Sequence, residues 1–327
     1  MGSIAISEQR ALTSCKLNGL TVLPIKGTFG AEVEGVEWDT VPIDQNILAT
    51  LINLQNKFAV LIFRHTNLDN ERQVAFSKQL GELEVNPSWG GSERVGSEYL
   101  FDVSNLEADG TLVKKDSRRW HHALGNVLWH TDSSFNQHRS KYSLLLSHTP
   151  STGPNTNTYF ADTRLAFHDL PPERKTYLRT LTTEHSLWHS RKLASPEIYH
   201  APTVEELTKK PPSYHKLVQV GPSGEETLFI AAHAKRVFGE DGKEVEDSQR
   251  LVWELIAWCT QERYVFEAEW REGGTLMWWD NRQCMHRASG YCEDMGPRDV
   301  RRSTVKDDGP LAWGVSEEEI QRLGLRG

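Results

Sequence analysis

The chain has few cysteines: four in 327 residues, Cys15, Cys259, Cys284 and Cys292, with no CxxC pair. That excludes a disulfide-stapled scaffold and the common structural zinc motifs. Cys284 and Cys292 flank His286, but their spacing fits no such motif, so free thiols in a reducing cytoplasm are expected. Long apolar runs are missing too, and none approaches the roughly 18 residues that a membrane span needs. The start, MGSIAISEQR, lacks the charged and hydrophobic regions of a signal peptide. Position six is Ile6, where a myristoylation motif wants Ser or Thr. Positive charge is in deficit: 37 Lys and Arg against 45 Asp and Glu give a net charge of -8. That leaves no footprint for nucleic acid or an anionic membrane. There is no internal repeat, no heptad pattern, no Gly-rich phosphate loop and no alternating βαβ pattern.

What is present suits a globular chain. A 38% hydrophobic and 25% charged composition supports a sizeable core, and a single domain over 1–327 is expected. Ile47, Leu51, Leu54 and Phe58 recur at helical spacing within 44–58. AVLIFR (59–64), YSLLLSH (142–148) and TLMWW (275–279) read as buried strands. Asn70 followed by Gln73 resembles a capping box that opens a helix. Leu251, Leu255 and Trp258 share one face of a helix within 248–263. Residues 190–215 are polar and Pro-punctuated, which predicts a loop, serving as a lid or insertion. Strands predominate around a few helices, so the fold class is α+β or mainly β.

The segment WHTDSSF (129–135) carries the chemistry. Residues i and i+2 of a strand share a face, so His130 and Asp132 would project together. An HxD pair alone is weak, because 13 His and 45 acidic residues would give roughly one or two such matches by chance. A late His, His286 in WWDNRQCMHRA, would complete two imidazoles and one carboxylate, the facial set of non-haem Fe(II) oxygenases. Twelve residues on, RDVRRSTV (298–305) would place Arg298, Val300, Arg302 and Thr304 on one strand face. Two guanidiniums there suit a bound carboxylate. Pairing with Asp299, Asp307 and Asp308 is the plain structural alternative. Trp278 and Trp279 are expected to pack the core. Trp89, in a Gly/Ser loop, is a pocket candidate. His121 and His122 are expected in a polar loop, His185 as a structural residue or one near the pocket, and His233 as a satisfied core or interface histidine.

Taken in order, LWHTDSSF, KYSLLLS, TYFADTRLAFHDLP, LFIAAHA, WWDNRQCMHRA and RDVRRSTVKDD resemble the Fe(II)/2-oxoglutarate-dependent dioxygenases of the taurine/2,4-dichlorophenoxyacetate dioxygenase family. The phenoxyacetate-type branch is the closer one. The resemblance implies a double-stranded β-helix, or jelly roll, flanked by helices. It implies that Fe(II) binds His130, Asp132 and His286, with 2-oxoglutarate as cosubstrate and O2 as oxidant. Thr158 and Arg298 match the residues that hold the far carboxylate of 2-oxoglutarate. Arg302, Ser133 and Trp89 are the substrate candidates. GPNTNT replaces the family's usual Gly-Gly-Asp-Thr stretch, so Thr156 competes with Thr158. The expected reaction oxidises a C–H bond of a small anionic substrate, releasing succinate and CO2, by hydroxylation, desaturation or ring closure. Homo-oligomers are usual in such families. Two alternatives stand beside this reading: a zinc hydrolase on the same triad, which needs a general-base Glu, and a non-catalytic binding protein.

Overall fold

Helix-forming and strand-forming segments follow the sequence pattern closely. Residues 14–86, 92–150, 156–290 and 295–325 are described by the computed structural model. Asp44 caps the helix Gln45–Phe58, its carboxylate accepting from the amides of Asn46 (2.8 Å) and Ile47 (3.2 Å). Leu48, Leu51, Leu54 and Phe58 form its buried stripe. The next helix, Asn70–Leu80, is capped by Asp69, not by Asn70 as the capping-box pattern suggested. Asp69 lies one residue earlier and reaches the Arg72 amide at 2.8 Å. Gln73 is therefore free to turn inward, where it is fully buried.

Eight strands form the main sheet. Their spatial order is Cys15–Leu17, Leu20–Lys26, Phe29–Glu34, Val60–Phe63, Leu276–Asp280, Ser140–Thr149, Asp299–Lys306 and Phe101–Asp102. All neighbours are antiparallel except Phe29–Glu34 beside Val60–Phe63. A second sheet places Thr158–Asp162 between Val265–Ala268 and Cys284–Ala288. A third places Thr182–His185 between Ala234–Phe238 and Ser213–Lys216. The ensemble is mixed α+β. Among the described residues, no helix is long and apolar enough to cross a membrane.

The period-two alternation of strands divides the main sheet's side chains between two cores. Leu61, Phe63, Leu144, Leu146, Leu276 and Trp278 face the two N-terminal helices. Val60, Ile62, Leu145, Met277, Trp279 and Val300 face the second sheet, against Phe160 and Phe266. The candidate site lies between these sheets. Gln73 connects the helix layer to the site strands, its amide donating to the carbonyls of Leu144 (3.1 Å) and Arg301 (3.0 Å).

Residues 190–215 are not the open loop expected. Leu187–Ala194 and Val204–Lys209 are helices and Ser213–Lys216 is a strand. A true capping box, Thr203 with Glu206, starts the second helix inside a polar stretch that reads as loop. Likewise His121 and His122 sit on a short helix, Arg118–Ala123, not in a loop.

Replacing Gln73 by Ala removes both carbonyl contacts and leaves a cavity under the site strands. Denaturant unfolding should show a loss of about 2–3 kcal/mol, and an unchanged midpoint would refute this bracing role.

Candidate active site

His130 is not in a strand. It makes a single antiparallel bridge with His286, each backbone amide donating to the other's carbonyl at 3.0 and 2.8 Å. Residues 132–135 then turn, with Ser133 in the left-handed region at φ 57°. The turn still brings Asp132 under His130, and the bridge brings in His286 from the second sheet. The three candidate ligand atoms lie within 4.8 Å of one another, and all three residues are buried.

Each ligand is held from behind. His130 Nδ1 donates to the Leu128 carbonyl at 2.6 Å, which leaves Nε2 as the free lone pair. His286 lies against Trp279, with ring centroids 4.6 Å apart. Nε2 of His130 is 3.8 Å from one Asp132 oxygen, and Nε2 of His286 is 3.6 Å from the other. These gaps exceed a hydrogen bond and suit a shared cation. The Asp132 amide donates to Asn281 Oδ1 (3.0 Å), and Ser143 donates to the carboxylate (2.7 Å). Asn281 Nδ2 in turn donates to the Ser143 hydroxyl at 3.0 Å.

The protonation states suit metal binding. Burial pushes His130 and His286 below the usual imidazole range. Burial alone would raise the Asp132 carboxyl, but Arg302 and the two imidazoles hold it well below the carboxylate range. Neutral imidazoles with an ionised carboxylate are the ligating forms. The donor set therefore fits a first-row divalent metal with open positions.

A cavity that opens to solvent adjoins the triad. His130, His286, Thr156, Thr158, Arg298 and Arg302 all line it. Thr158 and Arg298 are linked by a residue that the sequence reading missed. Trp270 Nε1 donates to the Thr158 hydroxyl at 3.1 Å, and the Arg298 guanidinium lies 5.8 Å from the Trp270 ring. Arg302 bonds to Asp132 through Nη1. Its Nε is sealed from solvent without a hydrogen-bond partner among the described residues. Trp279, expected only in the core, also lines the cavity, because alternation turns it away from Trp278.

Ser133 does not line the cavity. Its left-handed backbone turns the hydroxyl to Glu84, to which it donates at 2.7 Å. Trp89 lies outside the described residues, as do 151–155 of the altered turn. The three acids nearest to Arg298 and Arg302 in sequence are engaged with other cations: Asp299 with Arg94 and Arg301, Asp307 with Arg139 and Arg282, Asp308 with Lys141. No Asp or Glu among the described residues lines the cavity, so a hydrolase would lack its general base there.

Behind His130 lies a line of buried histidines. Ser134 Oγ meets Nδ1 of His233 and Nδ1 of His185, both at 3.0 Å, and its carbonyl meets His215 Nε2 at 2.9 Å. His185 and His233 are thus core histidines bound to Ser134, the first of the two alternatives open for each. Asn281 and Trp270 carried no motif signal. Asn281 was hidden in a turn that reads only as DNR, and Trp270 in a segment without a ligand pattern.

Comparison with known proteins agrees with this geometry. Residues 21–304 match the family described as taurine catabolism dioxygenase TauD, TfdA family. The chain is 34% identical to the alpha-ketoglutarate-dependent 2,4-dichlorophenoxyacetate dioxygenase of Burkholderia sp. (strain RASC), covering 77% of this chain and 83% of that protein. It is 30% identical to the alpha-ketoglutarate-dependent sulfate ester dioxygenase of Pseudomonas putida, covering 93% of this chain and 95% of that protein. The crystal structure of AAD-2 in complex with Mn(II) and N-oxalylglycine superposes with a TM-score of 0.79 at 32% identity, covering 91% of this chain and 99% of that one.

Two measurements check the site. Asn281→Ala withdraws the support behind Asp132 and Ser143, and calorimetric titration should show about 10–100-fold weaker Fe(II) or Co(II) affinity. Separately, burial pushes His185 down to about 3 and His215 well below 6.5. The unfolded chain takes up these protons first, so metal-free stability should fall as pH drops from about 6.5 toward 4. The slope is up to about 1.4 kcal/mol per pH unit for each such histidine. Flat unfolding midpoints over that range would contradict the neutral assignment.

Proposed function

The chain belongs to the TauD, TfdA dioxygenase family, and on that premise we propose that it is an Fe(II)- and 2-oxoglutarate-dependent oxygenase of a small organic anion. The single observation that carries this reading is the buried His130–Asp132–His286 set opening on a cavity lined, among the described residues, by two arginines and no acid. The AAD-2 complex holds a divalent metal together with N-oxalylglycine, which is 2-oxoglutarate with one methylene replaced by NH. The first and second sheets are read as the two faces of a jelly roll. Buried Cys259 and Cys284 are free thiols, which suits a reducing cytoplasm.

Fe(II) at the triad, with 2-oxoglutarate and O2, supplies the oxidising equivalent for a C–H bond while 2-oxoglutarate becomes succinate and CO2. His130, Asp132 and His286 would hold the metal. Arg298 would receive the far carboxylate of 2-oxoglutarate, with the Thr158 hydroxyl beside it. That hydroxyl already accepts from Trp270, so its own proton is free to point at an oxygen. Thr156 lines the same wall and is the alternative donor. Val103, Leu145 and Met295 add apolar walls that exclude water and grip the substrate body. Arg302 stands between metal ligand and substrate: Nη1 serves Asp132, and the unpartnered Nε awaits an acceptor such as a substrate anion.

Adding 2-oxoglutarate to the Fe(II)-loaded protein without oxygen should produce a weak visible charge-transfer band. His130→Ala should abolish it. Arg298→Ala should raise the 2-oxoglutarate KM by about 10-fold or more. Arg302→Ala should raise the KM of an anionic substrate far more than that of 2-oxoglutarate. A protein that binds iron but never shows the band would refute the cosubstrate assignment.

A further inference from the structure

Arg298 stands one residue before the strand Asp299–Lys306 begins, where the sheet ladder does not hold it. Pro297 precedes it and has no amide to donate. Pairing with the Ser140–Thr149 strand ends at Asp299, past a register shift between Asp299 and Val300. The backbone from which the guanidinium departs is fixed instead by Asn105. Oδ1 of Asn105 accepts from the Arg298 amide at 2.8 Å, and the Asn105 amide donates to the Arg298 carbonyl at 3.2 Å. Nδ2 of Asn105 donates to the Gly296 carbonyl at 3.0 Å, on the other side of Pro297. One residue thus holds both backbone groups of Arg298 and the chain just before it.

The contact asks for a particular side chain. The Arg298 amide can only donate and the Gly296 carbonyl can only accept, so the group between them must offer one acceptor and one donor. Aspartate lacks the donor, alanine lacks both, and glutamine carries them one methylene farther out. Asn105 is itself held in place: it is 8% exposed, and its carbonyl accepts from the Val113 amide at 2.9 Å. Its neighbour Ser104 accepts from the Val300 amide at 3.1 Å, which ties the same two segments together once more. Met295 and Arg298, on either side of Gly296 and Pro297, both line the cavity, as does Val103. At its far end the Arg298 side chain lies against Trp270. Backbone and guanidinium are therefore restrained separately, the first by Asn105 and the second by Trp270.

We propose that Asn105 is a positioning residue for the cosubstrate: by fixing the Arg298 backbone it sets the guanidinium at the distance from the metal that a 2-oxo diacid spans. This rests on the oxygenase reading, in which Arg298 receives the far carboxylate of 2-oxoglutarate. Asn105 is not among the residues that line the cavity, so it acts through Arg298 and not on the ligand itself. A guanidinium whose backbone is loose must be ordered again each time a carboxylate binds, and that ordering is subtracted from the affinity. The loss therefore falls on the far carboxylate and spares the keto-acid end, which the metal would hold.

The test compares 2-oxoglutarate with 2-oxopentanoate, which carries a methyl group in place of the far carboxylate. Both are titrated into the Fe(II)-loaded protein without oxygen, following the charge-transfer band. Wild type should bind 2-oxoglutarate about tenfold or more tighter. Asn105→Ala should cut that preference at least about threefold, while 2-oxopentanoate and Co(II) affinities stay within about twofold of wild type. Asn105→Asp keeps the acceptor for Arg298 and loses the donor to Gly296, so its preference should fall between the two. If the alanine variant does not fold, the aspartate variant decides by the same measurement. In an Arg298→Ala background, Asn105→Ala should change the preference no further, because the two act as one unit. A wild-type preference in the folded variants overturns the inference, and so does a further loss in the Arg298→Ala background. An equal loss for both acids, or weaker Co(II) binding, overturns it too, since a general brace would act that way. A wild type with no band sinks the oxygenase reading and this inference with it, whereas a normal wild-type preference that the variants retain sinks this inference alone.

Discussion

Asp132 is a carboxylate kept ionised inside the protein, and the rest of the site is arranged around that fact. At 5% exposure it has almost no water to stabilise it. Ser143, from the main sheet, donates to one of its oxygens, and Arg302, from the adjacent strand, donates to the other. His286 faces it from the second sheet. Two regions far apart in sequence, around Asp132 and Ser143 and around His286 and Arg302, must therefore be in place before the charge is tolerable. The consequence runs both ways. A divalent cation would find its anionic ligand already paid for by folding, and loss of any one partner exposes Asp132 to a desolvation cost of several kcal/mol. Arg302 supplies the countercharge in the metal-free protein, so metal entry shifts it from sole partner to one of two.

The main sheet makes this possible by treating its two faces differently. On the helix side, Leu144, Leu146 and Trp278 give a dry core. On the inner side the same strands alternate into Ser143, Leu145 and Trp279. The register sets Ser143 beside Trp279 and Thr304, and Leu145 beside Met277 and Arg302. Polar atoms thus gather at the metal end of the sheet and apolar ones beside the cavity. A one-residue slip of the Ser140–Thr149 strand would send Ser143 into the helix core and Leu144 onto the ligands. Gln73 guards against that slip by binding the carbonyls of Leu144 and Arg301 at once.

Much of this was legible in the residues. Strong periodicity located the helices at 45–58 and 248–259 and the three buried strands, because long apolar patterns report burial directly. His130, Asp132 and His286 were found from their chemistry and order, not from local conformation. The strand inferred for His130 and Asp132 is a one-residue bridge and a turn, and i, i+2 spacing cannot tell those apart. Ser133 was misplaced for the same reason, since its positive φ depends on the turn. Trp270 and Asn281 were invisible because their roles are contacts across the chain: Trp270 meets Thr158 from 112 residues away.

Charge, more than shape, separates the readings of this cavity. The strand Asp299–Lys306 and its continuation carry Asp299, Asp307 and Asp308 within ten residues of Arg298, enough to neutralise every guanidinium nearby. Asp299 instead turns to the opposite face, with Arg94 at 2.9 Å and Arg301 at 2.8 Å, and Asp307 is taken by Arg139 and Arg282. Those three acids are thus engaged by structural cations, and Asp132 alone of the metal-ligand set pairs with Arg302. A metal hydrolase would need the reverse, an acid left available near a bound water. A passive scaffold would need neither, and would gain stability by replacing the buried Arg302–Asp132 pair with apolar residues. Relatives named for a carboxylate herbicide and for sulfate esters share little in the body of their substrates. What those named substrates have in common is a negative charge. In this chain Arg298 and Arg302 line the cavity together with apolar walls formed by Val103, Leu145 and Met295.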